Sequence, residues 1–124
     1  MIPPGTAPHN KTHEQVFRAI NFNDVMGLRA MLDCYQEAPL NVVEIRDMRR
    51  FTALAFCCYK NNEECFMILY NHALDHNVKD MKFEQKRQML AQWANQPTDE
   101  EFTALHFATY HGNYNLIKFL IDNA

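Results

Sequence analysis

A stretch of sequence that occurs twice is the feature that most limits how this chain can fold. Residues 51–73 read FTALAFCCYKNNEECFMILYNHA and residues 102–124 read FTALHFATYHGNYNLIKFLIDNA, so nine of 23 positions are identical at a shift of 51 without gaps. Most of the other positions keep their polarity. Two copies of one short segment predict two copies of one supersecondary unit, which buries its apolar side only by stacking against neighbours.

Each copy has the pattern of two helices joined by a tight turn. Thr52 and Thr103 stand where a side-chain oxygen can cap a first helix. Asn61 and Gly112 fall where the chain must reverse, and both residue types tolerate positive φ. Apolar residues then recur at helical spacing in a second helix, at Cys65, Phe66, Ile68 and Leu69 in one copy and at Leu116, Ile117, Leu120 and Ile121 in the other.

A third helix pair, over 14–32, precedes the two copies. Thr12 is its predicted N-cap, with Gln15 at the capping-box position. Because a polar break over 21–24 separates two apolar sets, two short helices fit this segment better than one long helix. Residues 1–11 contain three prolines and a glycine, which predicts a flexible lead-in.

Composition favours helices and excludes several classes of function. Three glycines in 124 residues are few against an average of about 7%, so many tight turns or phosphate-cradling loops are excluded and an all-α fold is indicated. The net charge of −3 predicts no nucleic-acid partner. No apolar stretch approaches the roughly 20 residues of a membrane span, so we expect no direct membrane insertion, and the N-terminus does not resemble a secretory signal.

The cysteines indicate a reducing compartment. Cys57 and Cys58 are adjacent, and they lie with Cys34 and Cys65 in apolar helical patterns. Free cysteine packs as a small hydrophobe, so buried thiols are favoured over disulfides. A cytoplasmic location follows as a prediction.

At these residues the copies resemble ankyrin repeats, whose pattern D-x-x-G-x-T-P-L-H-x-A-A-x-x-G precedes a second apolar helix. The third copy matches at Thr103, Leu105, His106, Ala108 and Gly112. The second copy matches at Asp47, Thr52 and Leu54, with Cys57 as a small residue, but has Ala55 for the histidine and Asn61 for the glycine. The first pair, with Ala19, Asn23 and Leu32 in register, resembles a degenerate repeat.

The resemblance implies a short solenoid, an all-α array of helix-turn-helix repeats over residues 12–124. The repeats would lie near 12–40, 41–73 and 95–124, with an inserted helical segment near 74–94. Arg50 and Glu101 stand where the family usually has a turn glycine. These two hairpin tips are therefore predicted to be less regular than in the family.

The inserted segment follows from the spacing of the copies. Ankyrin repeats usually recur after about 33 residues, so a shift of 51 leaves about 18 additional residues. We predict a helix over 79–92, with Trp93 leading into the next turn. Its apolar side would comprise Met81, Phe83, Met89, Leu90 and Trp93, opposite Lys79, Lys82, Lys86 and Arg87. The run KDMKFEQKR indicates a solvated helix side supported by ion pairs, and binding to a membrane surface is the alternative.

Few residues suit catalysis or metal binding. In the family that the sequence resembles, the motif histidine, here His106, is structural and bonds through the threonine. Cys57, Cys58, Cys65, His72 and His76 form the densest set of possible metal ligands, and a continuous helix would place the two histidines on one side. Their spacing does not impose four convergent ligands. No nucleotide-binding or nucleophile motif occurs, so we expect no enzyme, no metal and no cofactor.

The resemblance also implies where a protein partner would bind, namely the turn tips and the exposed side of the first helices. These positions are Met48, Arg49, Phe51, Tyr59 and Lys60 in the second copy and Asp99, Glu100, Phe102, Tyr110 and His111 in the third. Aromatic side chains would provide desolvated contacts, and charges would provide specificity. Because the tips have opposite charges, with Arg49 and Arg50 on one and an acidic run on the other, we predict a partner with complementary paired charges.

The predicted function is therefore a protein–protein interaction module that presents a rigid surface. The alternative is a regulatory or substrate-recruiting segment of a larger membrane enzyme or channel, such as the ankyrin-bearing Asp-His-His-Cys S-acyltransferases. Transmembrane segments and a Cys-rich domain encoded beyond Ala124 would favour it. A terminal repeat normally needs a polar outer side, so the apolar NLIKFLIDNA predicts further repeats or domains beyond Ala124, or a partner that covers Tyr114 and Phe119.

Overall fold

A computed structural model describes residues 7–34 and 39–123, and these residues form helices joined by turns. The α-helices are α1 (Ala7–Asn21), α2 (Val25–Asp33), α3 (Ala53–Tyr59), α4 (Glu63–His72), α5 (Phe83–Asn95), α6 (Ala104–His111) and α7 (Tyr114–Asp122). A 3-10 turn spans Val42–Glu44 and a π-helical segment spans Ala73–Asn77. Extended pairing within the described ranges is one isolated bridge between Arg46 and Thr52. The predicted all-α class is confirmed.

The helices form three hairpins that stack side by side. The hairpins are α1–α2, α3–α4 and α6–α7, and α3 packs against both α1 and α6. Each hairpin reverses through a left-handed residue, Asn23, Asn61 or Gly112, with φ of 53°, 54° and 67°. The predicted reversals at Asn61 and Gly112 are confirmed, because asparagine and glycine reach this backbone region at low cost.

An asparagine at the start of the second helix joins each of the last two hairpins to the preceding one. The Asn62 side chain accepts a hydrogen bond from Cys65 N (3.1 Å) and donates one to Ile20 O of the first hairpin (3.2 Å). Asn113 accepts from Leu116 N (3.2 Å) and donates to Asn61 Oδ1 of the second hairpin (2.9 Å). Each cap therefore stabilises its own helix and an interface between hairpins.

One apolar core runs through the stack. Val16, Ile20 and Leu28 of the first hairpin are buried, as are Leu54 and Phe66 of the second. In the third hairpin Ala104, Ala108, Leu116 and Leu120 are buried, as are Leu90, Trp93 and Ala94 of α5. Helices α3 and α6 pack together, and their buried residues include the small Ala53, Ala55, Ala104 and Ala108, which permit close packing.

The first helix differs from the prediction at its start. Helix α1 begins at Ala7, so Thr12 is not its N-cap and residues 7–11 do not belong to a flexible lead-in. Pro8 falls in the first helical turn, where the missing N–H removes no intrahelical hydrogen bond. The rest of the predicted lead-in, 1–6, and part of the first repeat, 35–38, lie outside the described residues.

The inserted helix also differs in its bounds. Helix α5 covers Phe83–Asn95 rather than 79–92, and Trp93 lies inside it and is buried. The reason lies upstream, where Val78 N donates to Ala73 O (3.0 Å) across a π-helical turn. The Asn77 side chain fixes this turn, since its Oδ1 accepts from Val42 N (3.1 Å) and its Nδ2 donates to Leu40 O (3.0 Å). The chain must then turn again before α5 can begin.

The predicted apolar side of the insertion is correct only in part. Leu90 and Trp93 are buried, whereas the Phe83 side chain is 75% exposed. Met81 and Met89 are half-buried against the core. The ion pairs expected within KDMKFEQKR do not form, since none of the charged side chains of this segment, which the structure describes in full, has an ion-pair partner.

Candidate functional site

Two turns, over 47–51 and 98–102, lead into α3 and α6, and they have the same backbone hydrogen bonds. We call these two turns the tips. In the first tip, Arg50 N donates to Asp47 O (3.0 Å) and Asp47 N to Phe51 O (3.2 Å). In the second tip, the equivalent bonds run from Glu101 N to Thr98 O and from Thr98 N to Phe102 O, both 2.9 Å. Side-chain oxygens reinforce both turns, since Asp47 Oδ1 accepts from Phe51 N (2.9 Å) and Thr98 Oγ1 accepts from Phe102 N (3.3 Å).

The tips retain a glycine-like conformation without glycine. Arg50 and Glu101 have φ of 65° and 66°, in the left-handed region that favours glycine. The sequence predicts irregular turns at Arg50 and Glu101, but the two turns have matching hydrogen bonds and the positive φ that the family's glycine would adopt. The departure from the family pattern results in local backbone strain instead.

The charges of the two tips face each other. Asp99 N donates to Arg49 O (2.9 Å), and Arg50 Nε lies 3.9 Å from Asp99 Oδ1. Part of the opposite charge is thus compensated between the tips. This weakens the expectation of a partner with complementary paired charges, because Arg50 and Asp99 already have each other as partners. Arg49 and Glu100 remain exposed beside them.

Phe51 is the predicted surface residue that the structure places in the interior. Its side chain is only 7% exposed, so the expectation that it lies on the exposed surface is wrong. The ring stacks on Phe107 of the third hairpin, with centroids 5.4 Å apart and planes at 23°. It also contacts Phe56 and Tyr59. The equivalent Phe102 is 44% exposed, because no described element covers it as the third hairpin covers Phe51.

An aromatic groove opens beside the second tip. Its volume is about 590 Å³, and its lining is formed by Tyr59, Lys60, Phe102, His106, Phe107, Tyr110 and His111. Tyr59 and Phe102 are each close to half exposed, and Tyr110 is 85% exposed. Five of the ten predicted contact residues therefore meet in one groove. His106 and Phe107 were missed because their exposure depends on which neighbours cover α6.

The remaining predicted residues lie elsewhere. Met48 is almost fully exposed and lines a separate groove of about 540 Å³ with α1 residues, among them His13 and Phe17. Arg49, Asp99 and Glu100 are at the tips. The predicted set thus divides into the aromatic groove, the tips, the Met48 groove and the buried Phe51.

Interactions between hairpins hold the aromatic groove in shape. His111 Nε2 lies 2.8 Å from Tyr59 O, which links α6 to the end of α3. Phe107 packs against Tyr59 at 5.3 Å between centroids. The Lys60 ammonium lies 5.2 Å from the centre of the Tyr59 ring, within cation–π range. The groove therefore presents aromatic rings on a fixed backbone with a positive charge at its edge.

A sequence model of ankyrin repeats matches residues 16–124 as three copies. The chain belongs to the ankyrin-repeat family. Ankyrin repeats are generally protein–protein interaction modules, and the repeat itself is a non-catalytic fold. No curated protein matches the chain significantly. None of the helices within 7–34 and 39–123 has both the length and the hydropathy that a membrane crossing requires.

In the third ankyrin repeat, the motif histidine acts structurally. Thr103 N donates to His106 Nδ1 (2.9 Å), and Thr103 Oγ1 lies 3.0 Å from the same nitrogen. The side chain thus closes a capping box at the start of α6. In the second repeat Ala55 replaces the histidine, and Thr52 Oγ1 alone caps α3 by accepting from Ala55 N (2.9 Å).

The ankyrin core encloses three of the four thiols. Cys57, Cys58 and Cys65 are buried and free, whereas Cys34 is exposed and free. Burial raises the pKa of Cys57 well above its usual range and raises that of Cys58 to about 12. The thiolate is the reactive form, so these buried thiols serve as packing groups rather than nucleophiles.

His72 at the end of α4 and His76 in the π-helical segment that follows share a side of the array, as the sequence indicated. Their ring centroids are 4.7 Å apart, and His72 Nε2 lies 2.9 Å from Leu40 O. Burial lowers the pKa of His72, although the bond to Leu40 opposes this, and His76 lowers it further. No three His, Cys, Asp or Glu side chains in the described part of the chain are placed to hold one metal ion.

Proposed function

We propose that this ankyrin array binds a partner protein through the aromatic groove. The observation that carries the proposal is the cluster of exposed rings of Tyr59, Phe102 and Tyr110 around one groove. Aromatic residues are enriched among the contacts that dominate binding energy, since they bury a large area at a low entropy cost. A partner would insert an apolar or aromatic side chain between these rings.

The rigidity of the groove supports this role. Hydrogen bonds and ring contacts fix its walls before any partner arrives, so little conformational entropy is lost on binding. Lys60 at the edge favours a partner that has a carboxylate close to its apolar anchor. The paired tips Arg50 and Asp99 add shape rather than net charge to the adjoining surface.

Affinity capture from the native cell with two matched double variants tests the proposal. Phe102→Ala/Tyr110→Ala removes two exposed rings of the groove, whereas Tyr114→Ala/Ile121→Ala removes two exposed apolar side chains of α7. The first variant should lose a partner that the wild type and the second variant both retain. Retention of every partner by the first variant, or equal loss from both, would contradict the assignment to the groove.

A further inference from the structure

The inserted helix forms one wall of a second cleft, away from the aromatic groove. This cleft has a volume of about 250 Å³ and lies between the end of α4, the first half of α5 and the end of α7. Its lining comprises Tyr70, Leu74, Phe83, Lys86, Arg87, Leu90, Asp122 and Asn123. None of these residues lines the aromatic groove. Phe83, Lys86, Arg87 and Leu90 come from α5, so the cleft exists because of the insertion.

The cleft has uncompensated positive charge. Lys86 and Arg87 line it, and neither forms an ion pair with any described residue. The one carboxylate in the lining, Asp122, is engaged by Lys118 Nζ at 3.0 Å. Lys79 and Lys82 lie just before α5 and are exposed, and the two acidic residues of the same segment, Asp80 and Glu84, offset only half of its four positive charges. This local excess of cations occurs on a chain whose net charge is −3.

The cleft also has an apolar component at its floor and mouth. Tyr70 and Leu90 are buried beneath it, whereas Phe83 is 75% exposed at the first position of α5. An exposed aromatic ring beside a small apolar recess can enclose one bulky side chain. Neighbouring cations can then bind acidic groups on either side of that side chain.

We propose that this cleft is a second protein-binding site, and that it takes an acidic peptide segment with one bulky apolar residue. A membrane surface fits less well, because binding in the bilayer interface requires a continuous exposed apolar side on the helix. Among the other large apolar residues of α5, Leu90 and Trp93 are buried and Met89 is half-buried against the core, so Phe83 is the one exposed large apolar residue of that helix. A recess flanked by cations matches a peptide side chain rather than a lipid layer.

The chain contains its own reporter for this cleft. Trp93 is the single tryptophan, and its ring stacks on Tyr70 with centroids 6.2 Å apart and planes at 9°. Because Tyr70 lines the cleft, a bound side chain changes the surroundings of the stacked pair. The fluorescence of Trp93 should therefore shift when the cleft is filled.

The test titrates the intact chain with synthetic heptapeptides that have leucine, phenylalanine or methionine at the centre and glutamate at the other positions. We expect a saturable change in Trp93 fluorescence that weakens as salt is added. Lys86→Glu/Arg87→Glu should reduce the affinity about tenfold or more, and lysine-flanked peptides should then bind this variant better than the wild type. Phe83→Ser should weaken binding without changing the salt dependence.

Two controls separate this proposal from the function proposed above. Phe102→Ala/Tyr110→Ala alters the aromatic groove and should leave peptide binding to the cleft unchanged. Absence of a saturable change with every acidic peptide would overturn the proposal, as would equal binding of glutamine-flanked peptides. A Trp93 shift with phosphatidylserine vesicles but with none of the peptides would also overturn it, in favour of membrane binding.

Discussion

At the scale of single residues, backbone strain at the tips offers the clearest route to a stability gain. Glu101 holds φ at 66°, where a residue with a Cβ is disfavoured by about 1–2 kcal/mol. Glu101→Gly should raise the free energy of unfolding by about 0.5–1 kcal/mol, since the greater freedom of glycine in the unfolded chain offsets part of the relief. Urea denaturation measures the difference.

The control for this change is Glu101→Ala. Alanine removes the charge but keeps the Cβ, so we expect no comparable gain. If both variants were equally stabilised, repulsion within the acidic run Asp99–Glu101 would be the cause rather than the backbone. Gly112→Ala is the reverse test. It should lower stability through backbone strain alone, because φ is 67° there and an added Cβ would meet nothing within 4 Å.

His72 should make stability depend on pH. Its folded pKa lies below the usual value, mainly because of burial. As pH falls below about 6.5, the unfolded chain takes up a proton that the folded chain resists, so the stability present above that pH is lost toward the lower folded pKa. Replacing His72 by Gln keeps a donor toward Leu40 O but does not titrate.

The measurement compares the free energy of unfolding of the wild type and His72→Gln between pH 7.5 and pH 5. The wild type should lose stability relative to the variant on the acid side. The charged or titratable groups around His72 are His76, Asp75 and Asp33. A constant difference across this range would show that His72 has the same pKa in both states.

At the scale of helices, the two equivalent caps should differ in strength. Asn62→Ala should cost about 2 kcal/mol, because it removes a cap and a buried hydrogen bond to the Ile20 carbonyl, which keeps only its bond from Asn23 N. Asn113→Ala should cost about 1 kcal/mol, because its partner on Asn61 is exposed. Chemical denaturation of both variants gives the comparison.

Aspartate at the same positions separates capping from the contact between hairpins. Asn113→Asp keeps the acceptor for Leu116 N and should be close to neutral. Asn62→Asp keeps the cap but places a carboxylate against the Ile20 carbonyl, so it should remain destabilising. Equal costs for the two positions would mean that the bond to the first hairpin contributes nothing.

The sequence predicts helices well where the signal is local. Asparagine and glycine predict the turns at Asn61 and Gly112, and threonine predicts the N-caps at Thr52 and Thr103. The start of α5 could not be predicted, because it depends on Asn77 bonding to backbone atoms of Leu40 and Val42 more than 30 residues away. Arginine and glutamate do not favour positive φ, so the left-handed conformation of Arg50 and Glu101 could not be predicted from residue type either.

At the scale of the whole molecule, aromatic rings join the last two repeats, among them Phe107 and Phe119. Phe107 contacts Phe51 and Tyr59 across the interface. Phe107→Ala should cost about 2–3 kcal/mol, and hydrogen exchange should show α6 and α7 opening while α3 and α4 stay protected. The neighbouring Tyr110→Ala should change stability by no more than about 0.5 kcal/mol. Uniform loss of protection along the chain would contradict this division.

The candidate surface shows where prediction from sequence ends. The positions that line the aromatic groove follow the repeat pattern, so five of them were found. Phe51 was misplaced because Phe107, 56 positions later, covers it, and no local pattern reports such cover. The larger membrane enzyme, the cytoplasmic setting and any further repeats beyond Ala124 stay predictions.

The unequal burial of the cysteines means that the rate of thiol labelling can report how often the array opens. Cys34 is exposed and should react with a thiol reagent in the native state, whereas Cys57, Cys58 and Cys65 are buried and should react only after their helices separate. The amplitude of the fast labelling phase then gives the number of molecules. The rate of the slow phase gives the opening rate of the second repeat, at whose centre the three buried thiols lie. The first and third repeats pack on either side of the second, so a ligand that stabilises either interface should slow the labelling of the buried thiols. Its binding could then be followed without a probe on the partner.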